Sequence, residues 1–467
     1  MGKARRFIET AGVYFIGNVL SKLVALFLLP LYTSKILPDK FGEYDLVFTM
    51  LSLFVPVIFF QIWDGMFRFA FEKEGIKDKY RVISNSTTVC FFGGIIYSIA
   101  FFIIYKILHF ELALLIFIYG ISFALQYQYT FIARIFLRNK LFVVSGLVNS
   151  LLSALLNIVL ILRFGLGYES LYIAPVIGCI AQILIIEIVL HPSAHFHFKH
   201  IERYLIGDML KFSIPLCIAT VSYWLLGGFT KVVISQKLGI YENGLYAVAN
   251  RFSSVVTLVV GVFQYSWNEM AYMMIKDDNR VIIYEKGIHL MFKAVILGSG
   301  ILLIVIKLIF PYLIDQSYIK ALELVPLTLL GIAANSLASF VSTIFMTEKQ
   351  TQYILRTTGI GAILNLVCVW FITPVLGIQG AIGALCLSFI IIAILRLYLL
   401  KSIINFRISV TYILYIPIII VVIFLFFSIS NVLILNLILL LLLGFTGYSL
   451  RDVMMGILKS IARGNRI

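Results

Sequence analysis

Apolar residues run along this chain in blocks of about twenty to thirty, parted by short breaks rich in Lys, Arg, Gly and Pro. A bilayer core about 30 Å thick is crossed by about 20 apolar residues of helix rising about 1.5 Å each, so blocks of this length predict membrane spans. Fourteen are predicted. The first six cover roughly residues 10–36, 44–71, 82–107, 111–137, 141–163 and 168–190. The next six cover roughly 208–234, 243–272, 282–310, 320–346, 351–374 and 376–400, and the last two 409–429 and 431–449. Runs this long satisfy their backbone as helices and are too long for barrel strands. The expected fold is an all-α polytopic membrane protein. Its first run is too long for a signal-peptide core and lacks a small-residue cleavage site, so it reads as a retained span.

Charge supplies the orientation. Loops on the N-terminal side hold 25 Lys and Arg, against 6 on the other side, so the positive-inside rule places both termini in the cytoplasm. That bias also accounts for the formal charge of +15, because no basic domain exists to hold nucleic acid. With 61% hydrophobic residues, 13% charged and a mean hydropathy of +1.04, a soluble globule is excluded. The five cysteines all fall in apolar runs without CxxC spacing and read as small core residues.

The pattern also repeats. FGEYDLV at 41–47 returns as NGLYAVA at 243–249, aligning Gly42 with Gly244 and Tyr44 with Tyr246. LNIV at 156–159 returns as LNLV at 364–367, aligning Asn157 with Asn365 and, further on, Gly167 with Gly377. Spans 1–6 and 7–12 therefore read as two copies of a six-helix unit. An even number of spans inserts both copies the same way up, related by a pseudo-two-fold axis along the membrane normal. The expected organisation is a lobe over 1–200, a second over 201–402, and two additional spans with a basic tail over 403–467.

Six cations fall inside spans: Lys22, Arg68, Lys231, Arg251, Lys293 and Lys307. Lys22 sits about 18 Å into its helix, too deep to reach an interface easily, and Asn18 shares its face one turn earlier. Arg251 lies about 12 Å and Lys293 about 16 Å into their spans, so these and Lys22 read as cavity residues or buried structural pairs, whereas Arg68, Lys231 and Lys307 lie near span ends where snorkelling to headgroups is the competing reading. Asp64, one turn from Arg68, is either its intrahelical partner or a proton or cation site. Glu269 lies near an interface, as an ion-coupling candidate or a boundary residue. Deep cations outnumber deep anions, which suits an anionic cargo, and Arg in particular grips phosphate oxygens.

Other features are plainer. The polar stripe Ser145, Asn149, Ser153, Asn157 suits helix packing as well as cavity lining. Four histidines at 191–200 lack HExxH spacing and a carboxylate companion, so a surface loop is expected rather than a metal site. No GxxxxGK[ST] motif occurs, and no cofactor is expected.

The first-helix segment LSKLVALFLLPLYTSKIL, the turn-and-helix PDKFGEYDLV, the passage KFSIPLCIATVSYWLLGGFTKVVISQKLGIYENGLYAVANRFS and the stretch LNLVCVWFITPVLGIQGAIGA resemble the Wzx-type polysaccharide flippases. These belong to the multidrug/oligosaccharidyl-lipid/polysaccharide exporter superfamily, and the resemblance covers about residues 5–400. It implies two six-helix lobes in a V, with spans one, two, seven and eight around a basic cavity. It implies transfer of an undecaprenyl-pyrophosphate-linked oligosaccharide, such as an O-antigen unit, across the bacterial inner membrane by alternating access. Expected partners are that lipid-linked oligosaccharide, membrane lipids, and polysaccharide polymerase and chain-length machinery. On this reading Lys22 and Arg251 match the family's basic positions, with Arg68, Lys231, Lys293 and Asn18 as further substrate-binding candidates. Relatives often pair an acid with a base near the end of span seven, where this chain has Thr230 before Lys231. The rival within the superfamily is a cation-coupled small-molecule antiporter. A membrane polymerase or ligase would need a sizeable outer loop, and the outer connections here are short.

Overall fold

The structure is a computed structural model. It describes residue 24 and residues 26–197, 201–274, 277, 279–404 and 411–451, with side chains at all of these except 262, 265, 266, 269, 273 and 411–414. Fifteen α-helices and no strand occupy the described residues. In order they are α1 Leu29–Lys35, α2 Pro38–Ile58, α3 Ile62–Phe71, α4 Ile76–Leu108, α5 Ala113–Ile135, α6 Asn139–Leu162, α7 Ser170–Leu190 and α8 Arg203–Lys237. Then follow α9 Ile240–Ser253, α10 Val255–Met273, α11 Arg280–Leu313, α12 Ala321–Thr347, α13 Gln352–Ile404, α14 Thr411–Ser428 and α15 Val432–Ser449.

Among the described residues 11 helices are long and apolar enough to cross a membrane. The fourteen expected spans reconcile with them. The 53 residues of α13 hold two spans, divided where Gly377 leaves helical geometry at φ 62° and ψ −150°. The shorter apolar helix α14 is the thirteenth span, and the first, 10–36, lies mostly outside the described residues. The all-α polytopic fold is thus as expected.

One boundary differs. The second span was expected as a single run over 44–71, but the chain leaves the helix after Ile58 and restarts at Ile62. The Gln61 N–H closes back on the Pro56 carbonyl at 2.7 Å, and Phe60 and Gln61 take left-handed φ values of 55° and 47°, a turn that ends the helix. At the other end Pro38 opens α2 at a position where the missing N–H costs nothing.

The described chain forms two compact units. One comprises 1–247 with 362–381, the other 248–361 with 382–467. These are groupings by contact, whereas the expected lobes at 1–200 and 201–402 follow the sequence repeat.

In the first unit α7 lies along α6 and α5, and α8 packs on α2 and α3. The polar stripe of α6 faces α7. Ser153 donates to the Ala174 carbonyl at 3.2 Å, and Asn149 donates to Gln182 Oε1 at 2.9 Å. Gly178 lets the helices approach, since a Cβ there would stand 2.1 Å from Ser153 Oγ.

In the second unit α11 carries α12, α14 and α15 around Ile296, Leu297, Tyr415 and Ile419. Lys307, for which snorkelling was the competing expectation, instead donates from α11 to the carbonyls of Phe426 and Ile429 at the end of α14. A cation on exposed C-terminal carbonyls answers the negative end of the helix dipole.

The histidine loop is a folded connection. His195 stacks on Tyr80 with ring centroids 4.0 Å apart, and its Nδ1 lies 2.9 Å from the His191 carbonyl. Among the described residues no three His, Cys, Asp or Glu side chains are grouped to hold a metal ion.

Candidate functional site

In the first unit α8 brings a cation to an acid on α2. The Lys231 ammonium lies 2.8 Å from Asp45 Oδ2 and donates to Thr49 Oγ1 at 3.3 Å. The two charged side chains are only 15% and 12% exposed. Thr49, one turn beyond Asp45, donates its own hydroxyl to the Asp45 carbonyl at 2.7 Å. Trp224, two turns before Lys231, donates its indole N–H to the Thr49 carbonyl at 2.9 Å. The pair is therefore held by α2 and α8 together. Removing one partner of such a buried pair strands the other charge, at a cost of about 3–5 kcal/mol.

Beside it the two copies of the repeated motif meet. A Cβ on Gly42 would stand 2.2 Å from the Ile240 carbonyl oxygen, and a Cβ on Gly244 would stand 2.0 Å from the Pro38 carbonyl oxygen. The residue offset that maps Gly42 onto Gly244 also maps Pro38 onto Ile240, so the contact is symmetric under the repeat. Asn243 adds a hydrogen bond to the Gly42 carbonyl at 2.8 Å. The starts of α2 and α9 thus cross at backbone distance, which only residues without a side chain permit.

The residues expected from sequence fall as follows. Lys22 and Asn18 lie outside the described residues, as does the side chain of Glu269. Arg68 pairs with Glu72 one turn along α3 rather than with Asp64, and both partners are about half exposed, a geometry worth little in itself. Asp64 makes no salt bridge among the described residues. It lines a cavity of about 230 Å³ together with Phe67, Arg68, Phe71, Phe212 and Leu216. Lys231 is partnered rather than snorkelling. Arg251 lies two residues before the end of α9, half-buried. Lys293 sits on α11 with its ammonium 5.4 Å from the centroid of the Tyr415 ring, a cation–π contact. Arg251 and Lys293 belong to the second unit, and Asp64, Arg68 and Lys231 to the first.

Two residues escaped the sequence reading. Asp45 is the acid that Thr230 does not supply; it comes from α2 instead of from the position before Lys231. Its carboxylate closes the polar stretch PDKFGEYD, where it reads as one turn charge among several. Arg396 counted among the cytoplasmic loop charges, yet it is buried in the second unit at 4% exposure. Its guanidinium donates to Thr357 Oγ1 at 3.1 Å, Thr358 Oγ1 at 2.9 Å, Ser342 Oγ at 2.6 Å and the Ala338 carbonyl at 2.8 Å. It ties the C-terminal part of α12 and both halves of α13 into one knot.

A family model described as polysaccharide biosynthesis protein matches residues 7–266. A sequence comparison with curated proteins finds no match. Among solved structures, lipid II flippase MurJ in an inward closed conformation is similar along 96% of this chain and 100% of its own, with a TM-score of 0.71 at 16% identity. A multidrug resistance MATE family transporter of the MOP superfamily in an inward-facing conformation aligns over 82% of this chain and 94% of its own, with a TM-score of 0.65 at 13% identity. A mutant of the Vibrio cholerae MATE transporter VcmN aligns over 85% and 97%, with a TM-score of 0.55 at 16% identity. At these identities the likeness is one of fold. The matched model spans more than half of the 467 residues, and the chain belongs to the polysaccharide biosynthesis protein family, on the fold shared by MATE transporters and the lipid II flippase.

Proposed function

We propose that this protein is a flippase that carries an undecaprenyl-pyrophosphate-linked oligosaccharide, an O-antigen or similar surface-polysaccharide unit, across the bacterial inner membrane. It works by alternating access between two six-helix lobes, 1–200 and 201–402, with both termini in the cytoplasm. The observation that carries this reading is the family match over 7–266. Lipid II flippase, a solved structure similar along nearly the whole chain, bears a name that fits the same cargo class.

Moving a pyrophosphate through hydrocarbon is costly because its charge loses water. Lys22, Arg251, Arg68, Lys231 and Lys293, with Asn18, supply charge-assisted hydrogen bonds along the path in place of that water. The lipid tail stays in the bilayer throughout. No covalent bond forms or breaks. Membrane lipids surround the protein, and polymerase and chain-length machinery take the delivered unit. Asp64 and Glu269 are the positions proposed for ion coupling. A second reading, cation-coupled export of small molecules, has the MATE fold likeness in its favour.

Cells that depend on this chain for surface polysaccharide test the cation path. Lys22→Ala and Arg251→Ala are each expected to cut surface polysaccharide by about tenfold or more, the scale of one lost charge-assisted contact, at unchanged membrane levels of protein. Full polysaccharide from both variants overturns the path.

A further inference from the structure

The Asp45–Lys231 pair stands at one end of the helices that carry it. Asp45 is seven residues past Pro38, about 10 Å into α2, and Lys231 is six residues before Lys237, about 9 Å from the end of α8. With the termini in the cytoplasm, that end is the outer one. A deep cation at the exit is where an anionic cargo makes its last contact, and here that cation already has a carboxylate on it. Carboxylate and phosphate oxygens accept from an ammonium in the same way. A side-chain pair only 12–15% exposed has little room for both acceptors at full strength.

We propose that Asp45 is a built-in competitor for the cargo's phosphate at Lys231. Arriving pyrophosphate oxygens displace the Asp45 carboxylate from the ammonium, and the return of Asp45 expels them to the outer leaflet. This rests on the flippase reading above and adds to it the residue that sets release.

Three observations hold Asp45 to this task. Its helix is pinned to α8 by the Trp224 bond to Thr49 and to α9 by the Gly42–Gly244 crossing, so the carboxylate returns to one place. Lys40, the cation that α2 itself carries, is engaged elsewhere, 3.3 Å from Glu43 and 2.6 Å from Glu111. Thr49 accepts from the Lys231 ammonium, which keeps the cation aimed at this spot while its acid partner changes.

A merely structural ion pair and a competitor predict opposite signs. If the pair only braces helices, Asp45→Asn weakens the fold and weakens or leaves unchanged the binding of anionic lipid. If Asp45 competes, Asp45→Asn frees Lys231, tightens binding and slows delivery. The experiment measures binding of undecaprenyl pyrophosphate to the full-length protein in nanodiscs, together with transport of the lipid-linked oligosaccharide in liposomes. Asp45→Asn is expected to bind undecaprenyl pyrophosphate about tenfold more tightly than wild type while transporting about tenfold more slowly. Asp45→Glu, which restores the carboxylate, is expected to return both values toward wild type. Combined with Asp45→Asn, Lys231→Gln is expected to remove the gain and to bind more weakly than wild type.

Unchanged or weaker binding by folded Asp45→Asn overturns the proposal. If Asp45→Asn alone fails to insert, the neutral pair Asp45→Asn with Lys231→Gln carries the test. Weaker binding than wild type by that pair supports Lys231 as the phosphate contact, and unchanged binding overturns it. Wild-type protein that binds no undecaprenyl pyrophosphate at all defeats the flippase reading itself, a result distinct from binding that ignores Asp45.

Discussion

Gly244→Ala is expected to abolish polysaccharide export and to leave little folded protein in the membrane. The added methyl would sit 2.0 Å from the Pro38 carbonyl oxygen and 2.8 Å from its carbonyl carbon, and backbone has no rotamer into which it can withdraw. The starts of α2 and α9 would have to separate, and with them the Asn243 bond to the Gly42 carbonyl and the setting of Asp45 beside Lys231. Overpacking against backbone at a helix crossing costs about 3 kcal/mol or more, the upper end for an added methyl group. Gly42→Ala is expected to match it, because the repeat makes the contact two-sided. Gly227→Ala is the control. Among the described residues no atom beyond the helix's own neighbouring backbone lies within 4 Å of a Cβ there, so alanine's better helix propensity is expected to leave α8 as stable or more so, by up to about 1 kcal/mol. Survival of folded protein on heating, read by size-exclusion chromatography, separates the three. A Gly244→Ala protein as robust as wild type contradicts the crossing.

Arg396→Leu is the second large effect expected, in the other unit. From the second half of α13 the guanidinium fork fills acceptors on two other helical stretches at once, α12 and the first half of α13. Several of those hydroxyls already spend their own protons on their helices: Ser342 on the Ala338 carbonyl and Thr357 on the Tyr353 carbonyl, each at 2.8 Å. Leucine offers them nothing, and their lone pairs would be left buried and unmet. A loss of about 3–5 kcal/mol is expected, comparable to breaking a buried ionic contact. Arg396→Lys is expected to recover only part of it, since an ammonium cannot span the positions that a planar fork reaches. Thermal survival and membrane level of the variants give the measure. Wild-type behaviour of Arg396→Leu would mean that the knot carries no load.

These two sites show what a sequence conveys and what it withholds. The helices were legible because hydropathy belongs to single residues summed over a window. Gly42 and Gly244 were aligned as equivalents, yet that they touch is a property of packing that no alignment states. Lys231 stood out as a cation in an apolar run, whereas Asp45 reads as part of the polar turn PDKFGEYD, and nothing local to either residue names a partner on a distant helix. Arg396 was misplaced for a different reason. It stands near the end of an apolar run, where helix bounds are uncertain by several residues, and a charge there reads as a loop charge unless its burial is known. The break at Phe60 and Gln61 was missed because Pro56 inside a span is compatible with either a kink or an interruption. For Lys307 the sequence allowed snorkelling, and only the end of α14 beside it explains why the cation stays.

The central claim is that a lipid-linked, doubly phosphorylated oligosaccharide crosses the bilayer through this protein. Its most direct test places the purified full-length chain in liposomes with a fluorescent undecaprenyl-pyrophosphate oligosaccharide, and follows headgroup exposure with a membrane-impermeant quencher. The account predicts that protein-containing vesicles equilibrate the headgroup between leaflets while protein-free vesicles do not, and that small cationic drugs provoke no Na⁺ or H⁺ flux. Headgroups that remain on their original leaflet, with cation flux stimulated by drug, would contradict it.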